Sequence, residues 1–501
     1  LPEEDQRETH RLRIQSLYQA LPNTLVLLGI SLKDGTKVDA HSNVEDDYEH
    51  YYNESHTRLK DPIIDPSLGD FPEDQLAESM NGEMASLENF DVYDEVPVRT
   101  TESGDPIIVQ NDNGAYCIVK SDGVLDEIGA ETNQELLDTR WVHVWKGLII
   151  KSRLTLRGFK HIIEDPGTTY ASTPLFVIFK ILILMSLALG WSMYGGDVCT
   201  AFLHAAVSTS LYIIPPKEYY PRGGILWKLK KAMYGLKSAP REWQDHLAEI
   251  LTTKLEFKRL FSDSSVYYCA AISVWLLIYV DDFMVFGPDA NALLVLTRIE
   301  LHFLIKRTGQ LNELYDEVCF VGRKLRRLEN AVAFMGLDGY YEKILEPLKL
   351  NNARPATTTG PKVTTTTVEE MLDKFLHTLL RSTIGKLLWL IPIRPDIAYA
   401  TKELSRCLVN PTTRDMTRLK HLGRYLVGTK NYMFILRPLQ RLTSLPKQLL
   451  IEVYVDSDWA GCSVTRKSTT GVLIKVLGCT LHCISKTQQI LALSSGEAEL
   501  Y

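Results

Sequence analysis

Hydrophobic and polar positions change their pattern at about residue 135. Before that point the chain is polar, with an acidic cluster at 45–47 and a stretch rich in proline and aspartate at 61–74. A short helix is indicated around Leu12–Leu28. A segment of this composition has little apolar surface to bury on folding. We therefore predict that residues 1–135 form a linker or loosely ordered segment.

From residue 140 onward, apolar residues recur with the periods of strands and helices. Residues 141–159 predict two strands around a turn at Gly147, and the nearly unbroken apolar run 175–190 predicts a buried helix. Residues 239–255 have helical periodicity, and residues 266–287 predict a β-hairpin that breaks at two adjacent aspartates. Three shorter apolar segments lie between these elements, at 193–198, 211–216 and 225–235. The first of them leads into a strand.

A stretch rich in threonine and proline at 353–367 marks a boundary in the chain. Beyond it the pattern predicts two helical segments, 380–406 and 416–429, and then three successive strands, 451–461, 471–478 and 479–486. Residues 494–501 predict the start of a helix with Ser495 as its N-cap. Because the sequence stops inside that helix, we expect the last fold to be truncated.

Composition and charge indicate a globular protein and argue against a membrane protein. About 45% of the residues are hydrophobic and 23% are charged, which is ordinary for a globular protein. The net charge of −7 argues mildly against nucleic-acid binding, although an acidic segment elsewhere can mask a basic groove. The run Ile181–Trp191 is too short for a membrane-spanning helix, and the polar first residues have no signal-peptide pattern. We therefore expect no membrane partner.

The eight cysteines are scattered, without a CxxC pair. Cys462, Cys479, His482 and Cys483 lie near one another in sequence but lack the ligand spacing of a zinc site. We interpret the cysteines as buried reduced thiols, which fits an intracellular setting.

The first candidate for chemistry is the pair Asp281 and Asp282, which lies between two apolar, strand-forming segments. Two carboxylates on a tight hairpin can bind a cation that needs oxygen ligands, and without a cation they would repel each other. The alternative is an ordinary acidic hairpin turn. Asp197 is a second candidate, because it follows two glycines and precedes another apolar strand. Two-metal phosphoryl transfer needs carboxylates from separate elements, whereas the alternative for Asp197 alone is a turn aspartate.

Between these aspartates lies the segment 227–243, in which lysine and arginine alternate with aromatic residues. Basic and aromatic side chains together suit a nucleic-acid strand, which needs both charge neutralisation and base stacking. A solvated helix face is the alternative interpretation.

Four segments, in this order, resemble the reverse transcriptase of copia-type long-terminal-repeat retrotransposons: GDVCTAFLHA, LYIIPPKEYY, WKLKKAMYGLKSAPREW and IYVDDFMVFG. Residues 140–159 resemble the family's fingers hairpin, and RPDIAYATKELSR and LKHLGRYLVGT resemble its connecting segment. The sequence from VYVDSDWAG to SSGEAELY resembles the start of its ribonuclease H. The resemblance covers about residues 140–501, and so many motifs in one order make it specific.

The resemblance implies metal ligands. Asp197 and Asp281 would bind two Mg²⁺ ions, with Mn²⁺ as an alternative metal, and Asp282 would support them. Val198 would add a backbone carbonyl. The implied reaction is attack of a primer 3′-hydroxyl on the α-phosphate of a deoxynucleoside triphosphate, with the metals supplying most of the stabilisation.

The resemblance also implies contacts to the incoming nucleotide. Lys151 and Arg153 match the basic residues that hold the triphosphate, for which the arginine fork is well suited. Phe202 falls where the family places the aromatic residue that excludes a ribose 2′-hydroxyl. Gly235 begins the wall below the templating base pair.

In the ribonuclease H part, Asp456 matches the first catalytic aspartate and Glu499 the glutamate of the first helix, and both would bind metal. The alternatives are a strand-end turn acid and an acid favoured by the helix dipole. The family needs two further aspartates downstream, so we expect no ribonuclease H activity from this chain alone.

The fold that follows is a mixed α/β right-hand polymerase with fingers, palm and thumb in residues 136–352. A connecting helical segment (353–446) and the first part of a ribonuclease H-like domain (447–501) come after it. The expected partners are an RNA template, a DNA primer, deoxynucleoside triphosphates and other segments of the same polyprotein (protease, integrase and capsid). The family implies a cytoplasmic location that includes virus-like particles, with nuclear entry of the product.

Three rival interpretations remain open from the sequence. The first is a decayed, non-catalytic copy that keeps the fold and some nucleic-acid binding. The second is a host protein that has adopted the domain as an interaction module. The third is a DNA-templated polymerase, because the palm chemistry is shared.

Overall fold

The computed structural model describes residues 71–128, 136–158, 169–361, 370–446 and 449–501. The helix predicted around Leu12–Leu28 therefore lies outside the described residues. The chain has a mixed α/β fold, with helices and mostly antiparallel sheets along its length. Its described helices are α1 (Glu73–Asn89), α2 (Phe176–Leu189), α3 (Ala239–Thr253), α4 (Asp289–Glu300), α5 (Glu342–Leu345), α6 (Lys374–Leu390), α7 (Ala398–Ser405), α8 (Thr413–Thr429) and α9 (Ser495–Leu500).

Two large sheets are built from the first two thirds of the described chain. Their strands are β1 (Tyr93–Pro97), β5 (Leu137–Lys146), β6 (Ile149–Leu156), β7 (Ser192–Val198), β8 (Tyr212–Ile214), β9 (Ile225–Leu229), β10 (Lys258–Arg259), β11 (Val266–Cys269), β12 (Val274–Tyr279), β13 (Asp282–Gly287) and β14 (Ile305–Gln310). The hairpin sheet has the order β1-β9-β8-β5-β6, and the central sheet has the order β10-β11-β12-β13-β7-β14.

Three smaller sheets complete the described fold. Their strands are β2 (Ile108–Gln110), β3 (Tyr116–Val119), β4 (Leu125–Glu127), β15 (Glu317–Phe320), β16 (Arg323–Leu328), β17 (Ala331–Gly336), β18 (Phe434–Leu436), β19 (Ile451–Asp458), β20 (Thr469–Val476) and β21 (Cys479–Thr487). They form the sheets β2-β3-β4, β15-β16-β17-β18 and β19-β20-β21.

The predicted hairpins are confirmed. Strands β5 and β6 pair along their length, and Gly147 between them has a φ of +63°, a left-handed conformation that glycine adopts at little cost. Strands β12 and β13 pair from Trp275 opposite Phe286 to Tyr279 opposite Asp282, so the hairpin turns at Val280 and Asp281.

The apolar run after residue 175 forms α2, as predicted, and almost all of it is buried. Helix α2 ends at Gly190, whose φ of +68° gives the left-handed C-cap that helices commonly use. It packs in the larger hydrophobic core, which joins the central sheet to the helices α6–α8 and to β20 and β21. No helix among the described residues is long and apolar enough to span a membrane.

The prediction that residues 1–135 form a linker or loosely ordered segment is wrong for residues 71–128. That segment contains α1 and the strands β1–β4, and it buries Met84, Leu87 and Val92 in the core that also contains strands of both large sheets. Helix α1 was missed because its flanking residues are acidic and polar, although Leu76, Met80, Met84 and Leu87 recur at helical spacing.

Helix α1 covers the exposed edge of the hairpin sheet, where β6 is the last strand. The amide of Ser152 donates to Ser79 Oγ (2.8 Å), and the Ser79 hydroxyl donates to the carbonyl of Ile150 (3.0 Å). One turn later, the amide of Leu154 donates to Glu83 Oε1 (3.2 Å). Side chains of α1 therefore pair backbone groups that an edge strand leaves open.

The C-terminal predictions are confirmed with two corrections. Helix α8 and strands β19–β21 lie where the pattern places them, whereas the predicted helical segment 380–406 is divided into α6 and α7 by the 3₁₀ turns Ile391–Ile393 and Pro395–Ile397. The N-cap of α9 is Ser494, not Ser495, because the Ser494 side chain accepts a hydrogen bond from the amide of Glu497.

Candidate active site

Three aspartates meet at one end of the central sheet. Asp197 lies near the end of β7 and faces Asp282, the first residue of β13, as a directly opposed pair. Asp281 occupies the turn beside it, and its carbonyl accepts a hydrogen bond from the amide of Val198 (2.8 Å). Directly opposed residues of antiparallel strands have neighbouring side chains, so the sheet itself brings these carboxylates together.

The turn that presents Asp281 is strained. Val280 has a φ of +59°, a left-handed conformation that is unfavourable for a β-branched residue. Its carbonyl accepts a hydrogen bond from the indole nitrogen of Trp243 on α3 (2.6 Å). Trp243 is buried and packs against Phe303 and His204, so it holds the strained turn from a rigid position.

Burial and like charge act on these carboxyl groups. Burial, followed by the charges of Asp281 and Asp197, raises the pKa of Asp282 to about 7. Burial and the charge of Asp197 also raise the pKa of Asp281, against a smaller opposing effect of Arg153. Without a cation the site resists carrying its full negative charge.

This donor set fits a divalent metal in charge and in ligand type, because carboxylate oxygens are the ligands that Mg²⁺ prefers. Among the described residues, however, no three acidic, histidine or cysteine side chains lie close enough together to hold a metal ion. The aspartates therefore have suitable chemistry for a metal, but their side chains do not form a metal-binding group in this structure.

Lys151 and Arg153 project from β6 toward the same region. The charges of Glu83 and Asp197 act on Lys151, although burial has the larger effect and lowers the pKa of that lysine. Arg153 lies close enough to Asp281 to oppose the rise in the pKa of that carboxyl group. The hairpin sheet thus adds two cations to the aspartates of the central sheet.

Phe202 and Arg153 share a neighbour, Tyr234. The Tyr234 ring packs edge-on against Phe202 (5.1 Å between centroids), and the guanidinium of Arg153 lies 4.5 Å from the centroid of the same ring. Burial raises the pKa of Tyr234 to about 12, so its hydroxyl stays protonated at neutral pH.

Gly235 is fixed by its surroundings. Its φ is +91°, and a Cβ at this position would collide with the carbonyl of Leu156. The amide of Leu156 in turn donates to the carbonyl of Tyr234 (2.8 Å). The segment around Gly235 therefore lies directly against the end of β6, where no larger residue fits.

Asp456 and Glu499 lie in the C-terminal part of the chain, on a strand and a helix that are separate from the central sheet. Asp456 is exposed on β19, and Glu499 on α9 accepts a hydrogen bond from the amide of the adjacent Ser457 (3.1 Å). The two carboxylates lie on neighbouring elements and take no part in the cluster around Asp197.

Two residues of the site escaped sequence analysis. Trp243 falls in the predicted helical segment 239–255, and Tyr234 is one of the aromatic residues of the basic segment 227–243, but neither position indicates a role by itself. Their contacts with Val280, Arg153 and Phe202 join segments far apart in sequence, so periodicity carries no signal for them. Their place in the basic and aromatic segment 227–243 is the one sequence feature that indicates a role for these two residues in the site.

Comparison with known proteins gives a consistent family. Residues 125–362 match the model of the reverse transcriptase (RNA-dependent DNA polymerase) family. The chain is 30% identical over 361 residues to the retrovirus-related Pol polyprotein from transposon RE1 of Arabidopsis thaliana, covering 70% of this chain and 23% of that protein. It is also 30% identical over 367 residues to the Pol polyprotein from transposon TNT 1-94 of Nicotiana tabacum, covering 70% and 26%. The chain thus spans about a quarter of the length of these relatives.

Among solved structures, the foamy viral protease-reverse transcriptase in complex with double-stranded DNA is similar at 14% identity with a TM-score of 0.41. That similarity covers 91% of this chain and 83% of the viral chain.

Proposed function

Because the chain belongs to the copia-type retrotransposon Pol polyproteins, in their reverse transcriptase region, we propose that it is an active RNA-directed DNA polymerase. It extends a DNA primer on an RNA template with deoxynucleoside triphosphates. The observation that carries this proposal is the direct opposition of Asp197 and Asp282, with Asp281 in the strained turn beside them.

In this proposal Asp197, Asp281 and Asp282 hold two Mg²⁺ ions with the carbonyl of Val198, and Mn²⁺ can replace them. When bound, the metals polarise the α-phosphate and favour the deprotonated primer hydroxyl. The protein residues bring the carboxylates to one edge, and Trp243 keeps the turn that carries Asp281 from moving.

The remaining site residues bind the nucleotide. Lys151 and Arg153 hold the triphosphate, and the planar guanidinium of Arg153 can donate two hydrogen bonds to it. Phe202 excludes a ribose 2′-hydroxyl. Gly235 allows the backbone to lie close under the templating base pair, because the position has no room for a side chain.

In the same proposal, the sheets of the chain correspond to the parts of a right-hand polymerase. The central sheet is the palm, the hairpin sheet is the fingers, and the thumb follows the palm within 136–352. Residues 353–446 connect to a ribonuclease H-like part from residue 447 that includes Asp456 and Glu499. In a full polyprotein, protease, integrase and capsid segments are further partners, and the cytoplasm with its virus-like particles is the expected location.

Primer extension tests the proposal. Purified chain with Mg²⁺, deoxynucleotides and a primed homopolymeric RNA template should extend the primer, and Asp281→Asn should lower the rate by about a hundredfold or more. Asp245→Asn is the matched control, since Asp245 is an exposed aspartate of α3 paired with Arg241. Unchanged extension by Asp281→Asn would show that the site is assigned wrongly. Folded wild-type protein without extension would favour the non-catalytic remnant.

A further inference from the structure

We propose that Tyr234 is a specificity-determining residue. Its aromatic ring positions both Arg153, which binds the triphosphate, and Phe202, which excludes the ribose 2′-hydroxyl. The inference rests on the proposed function and adds to it a residue that couples nucleotide affinity to sugar selection.

The first evidence is the position of the ring. Arg153 lies over the Tyr234 ring at 4.5 Å, within the range of a cation–π interaction. Phe202 contacts the same ring edge-on at 5.1 Å, with an interplanar angle of 62°. The ring therefore contacts two side chains from different elements: Arg153 on β6 and Phe202 in the short 3₁₀ helix Ala201–His204.

The second evidence is how firmly the backbone of Tyr234 is held. Its carbonyl accepts the amide hydrogen of Leu156, three residues after Arg153 and on the same strand. The next residue, Gly235, lies against Leu156 with no room for a Cβ. The backbone that carries the ring is thus fixed against the strand that carries Arg153, and the contacts of the ring with Arg153 and Phe202 give its orientation.

The consequence is a coupling between two recognition steps. A guanidinium that stacks on an aromatic ring keeps its edge free to donate to phosphate oxygens. An edge-on aromatic neighbour restricts the orientation of Phe202, and sugar exclusion depends on where that ring lies. Loss of the Tyr234 ring should therefore weaken nucleotide binding and relax sugar selection together.

Replacement of the ring tests this coupling. With full-length chain on a primed RNA template, Tyr234→Leu should raise the KM for deoxynucleotide about tenfold. It should also lower the ratio of kcat/KM for deoxynucleotide over ribonucleotide about tenfold. Tyr234→Phe keeps the ring and should stay within about twofold of the wild type in both quantities. The ratio compares two substrates with one preparation, so a loss of folded protein cannot change it.

Two further variants separate positioning from general packing. Tyr220→Leu removes a half-buried ring of the loop between β8 and β9 that packs on Trp227, and it should leave the ratio unchanged. Phe202→Ala alone should lower the ratio, and adding Tyr234→Leu should lower it little further, because residues that act through one another are not additive. Additive losses, or an unchanged ratio in Tyr234→Leu, would overturn the inference.

The same question can be asked without catalysis. Binding of deoxynucleoside and ribonucleoside triphosphates to the chain on a primer–template with a chain-terminated primer gives the same ratio as affinities. If wild-type protein does not extend primers but shows the sugar preference and Tyr234→Leu removes it, the inference stands and only the activity fails. If the wild-type protein shows no sugar preference in binding, the inference fails as well.

Discussion

At the residue scale, the strained turn at Val280 is supported by the side chain of Trp243. The left-handed φ of Val280 costs about 1–3 kcal/mol, which the surrounding contacts must offset. The indole nitrogen of Trp243 makes the hydrogen bond that holds this carbonyl. Because Asp281 follows directly, a small movement of the turn misplaces a carboxylate of the site.

Trp243→Phe should therefore reduce kcat by roughly tenfold while changing the KM for deoxynucleotide little. The substitution keeps an aromatic ring and removes the N–H donor. Steady-state primer extension measures both constants. Trp459→Phe is the matched control, since the Trp459 indole donates to the carbonyl of Ala492 (3.1 Å) outside the site. An equal fall of kcat in both variants would contradict a positioning role for Trp243.

Lys180 is the second residue with an unusual environment. It is almost fully buried within α2, and its ammonium donates to the carbonyls of Pro392 (2.5 Å) and Leu481 (3.0 Å). Burial, followed by the charge of Arg323, lowers the pKa of Lys180 to about 7. Between pH 7 and the ordinary lysine pKa, the unfolded chain therefore binds more protons at this position than the folded chain.

Folding stability should consequently rise with pH above 7, with a contribution from Lys180 of at most about 1.4 kcal/mol per pH unit. Cysteines with raised pKa values, such as Cys407, act in the opposite direction above pH 9, so the useful window is pH 7 to 8.5. Denaturant unfolding of wild type and Lys180→Met across this window measures the effect. The free energy of unfolding of wild type, relative to that of Lys180→Met, should increase steadily with pH. A constant difference would show that Lys180 stays charged in the fold.

At the element scale, α1 and β6 form one unit through side chains rather than strand pairing. Ser79→Ala should cost about 1–3 kcal/mol of unfolding free energy, because it leaves the amide of Ser152 without its partner at the sheet edge. Ser86→Ala, on the same helix, is the control and should change stability by less than about 0.5 kcal/mol. Chemical denaturation measures both. Equal small effects would mean that water replaces the Ser79 hydroxyl at this edge.

The elements also show what the sequence could and could not predict. The hairpin around Val280 and the buried helix α2 have long, uniform apolar patterns, and they were predicted within a few residues. Helix α1 was missed because its four large apolar residues lie among acids and glycine, and the polar composition of the segment concealed their helical spacing. The aspartates could be selected as candidates from their strand-end positions, whereas Tyr234 and Trp243 make their contacts between segments that only folding brings together.

At the scale of the whole molecule, the net charge of −7 has to be reconciled with the proposed nucleic-acid partner. Helix α8 offers a surface for this purpose. Its single carboxylate, Asp415, is buried in the capping box, whereas its basic side chains are at least partly exposed: Arg414, Arg418, Lys420 and Arg424. Arg414 and Arg418 lie about one turn apart, as do Lys420 and Arg424, so the helix carries two pairs of cations. An acidic chain can bind a duplex if cations are locally concentrated in this way.

The double substitution Arg418→Gln and Lys420→Gln should then weaken binding of an RNA–DNA primer–template. The dependence of log affinity on log salt should become shallower by about one for each phosphate that the protein no longer neutralises. Fluorescence anisotropy at several salt concentrations measures both quantities. The control is Lys254→Gln with Arg298→Gln, two exposed cations beside the central sheet that should leave the salt dependence unchanged. If the control pair shifts the slope as much as the α8 pair, the nucleic acid responds to overall charge, and α8 is not its binding surface.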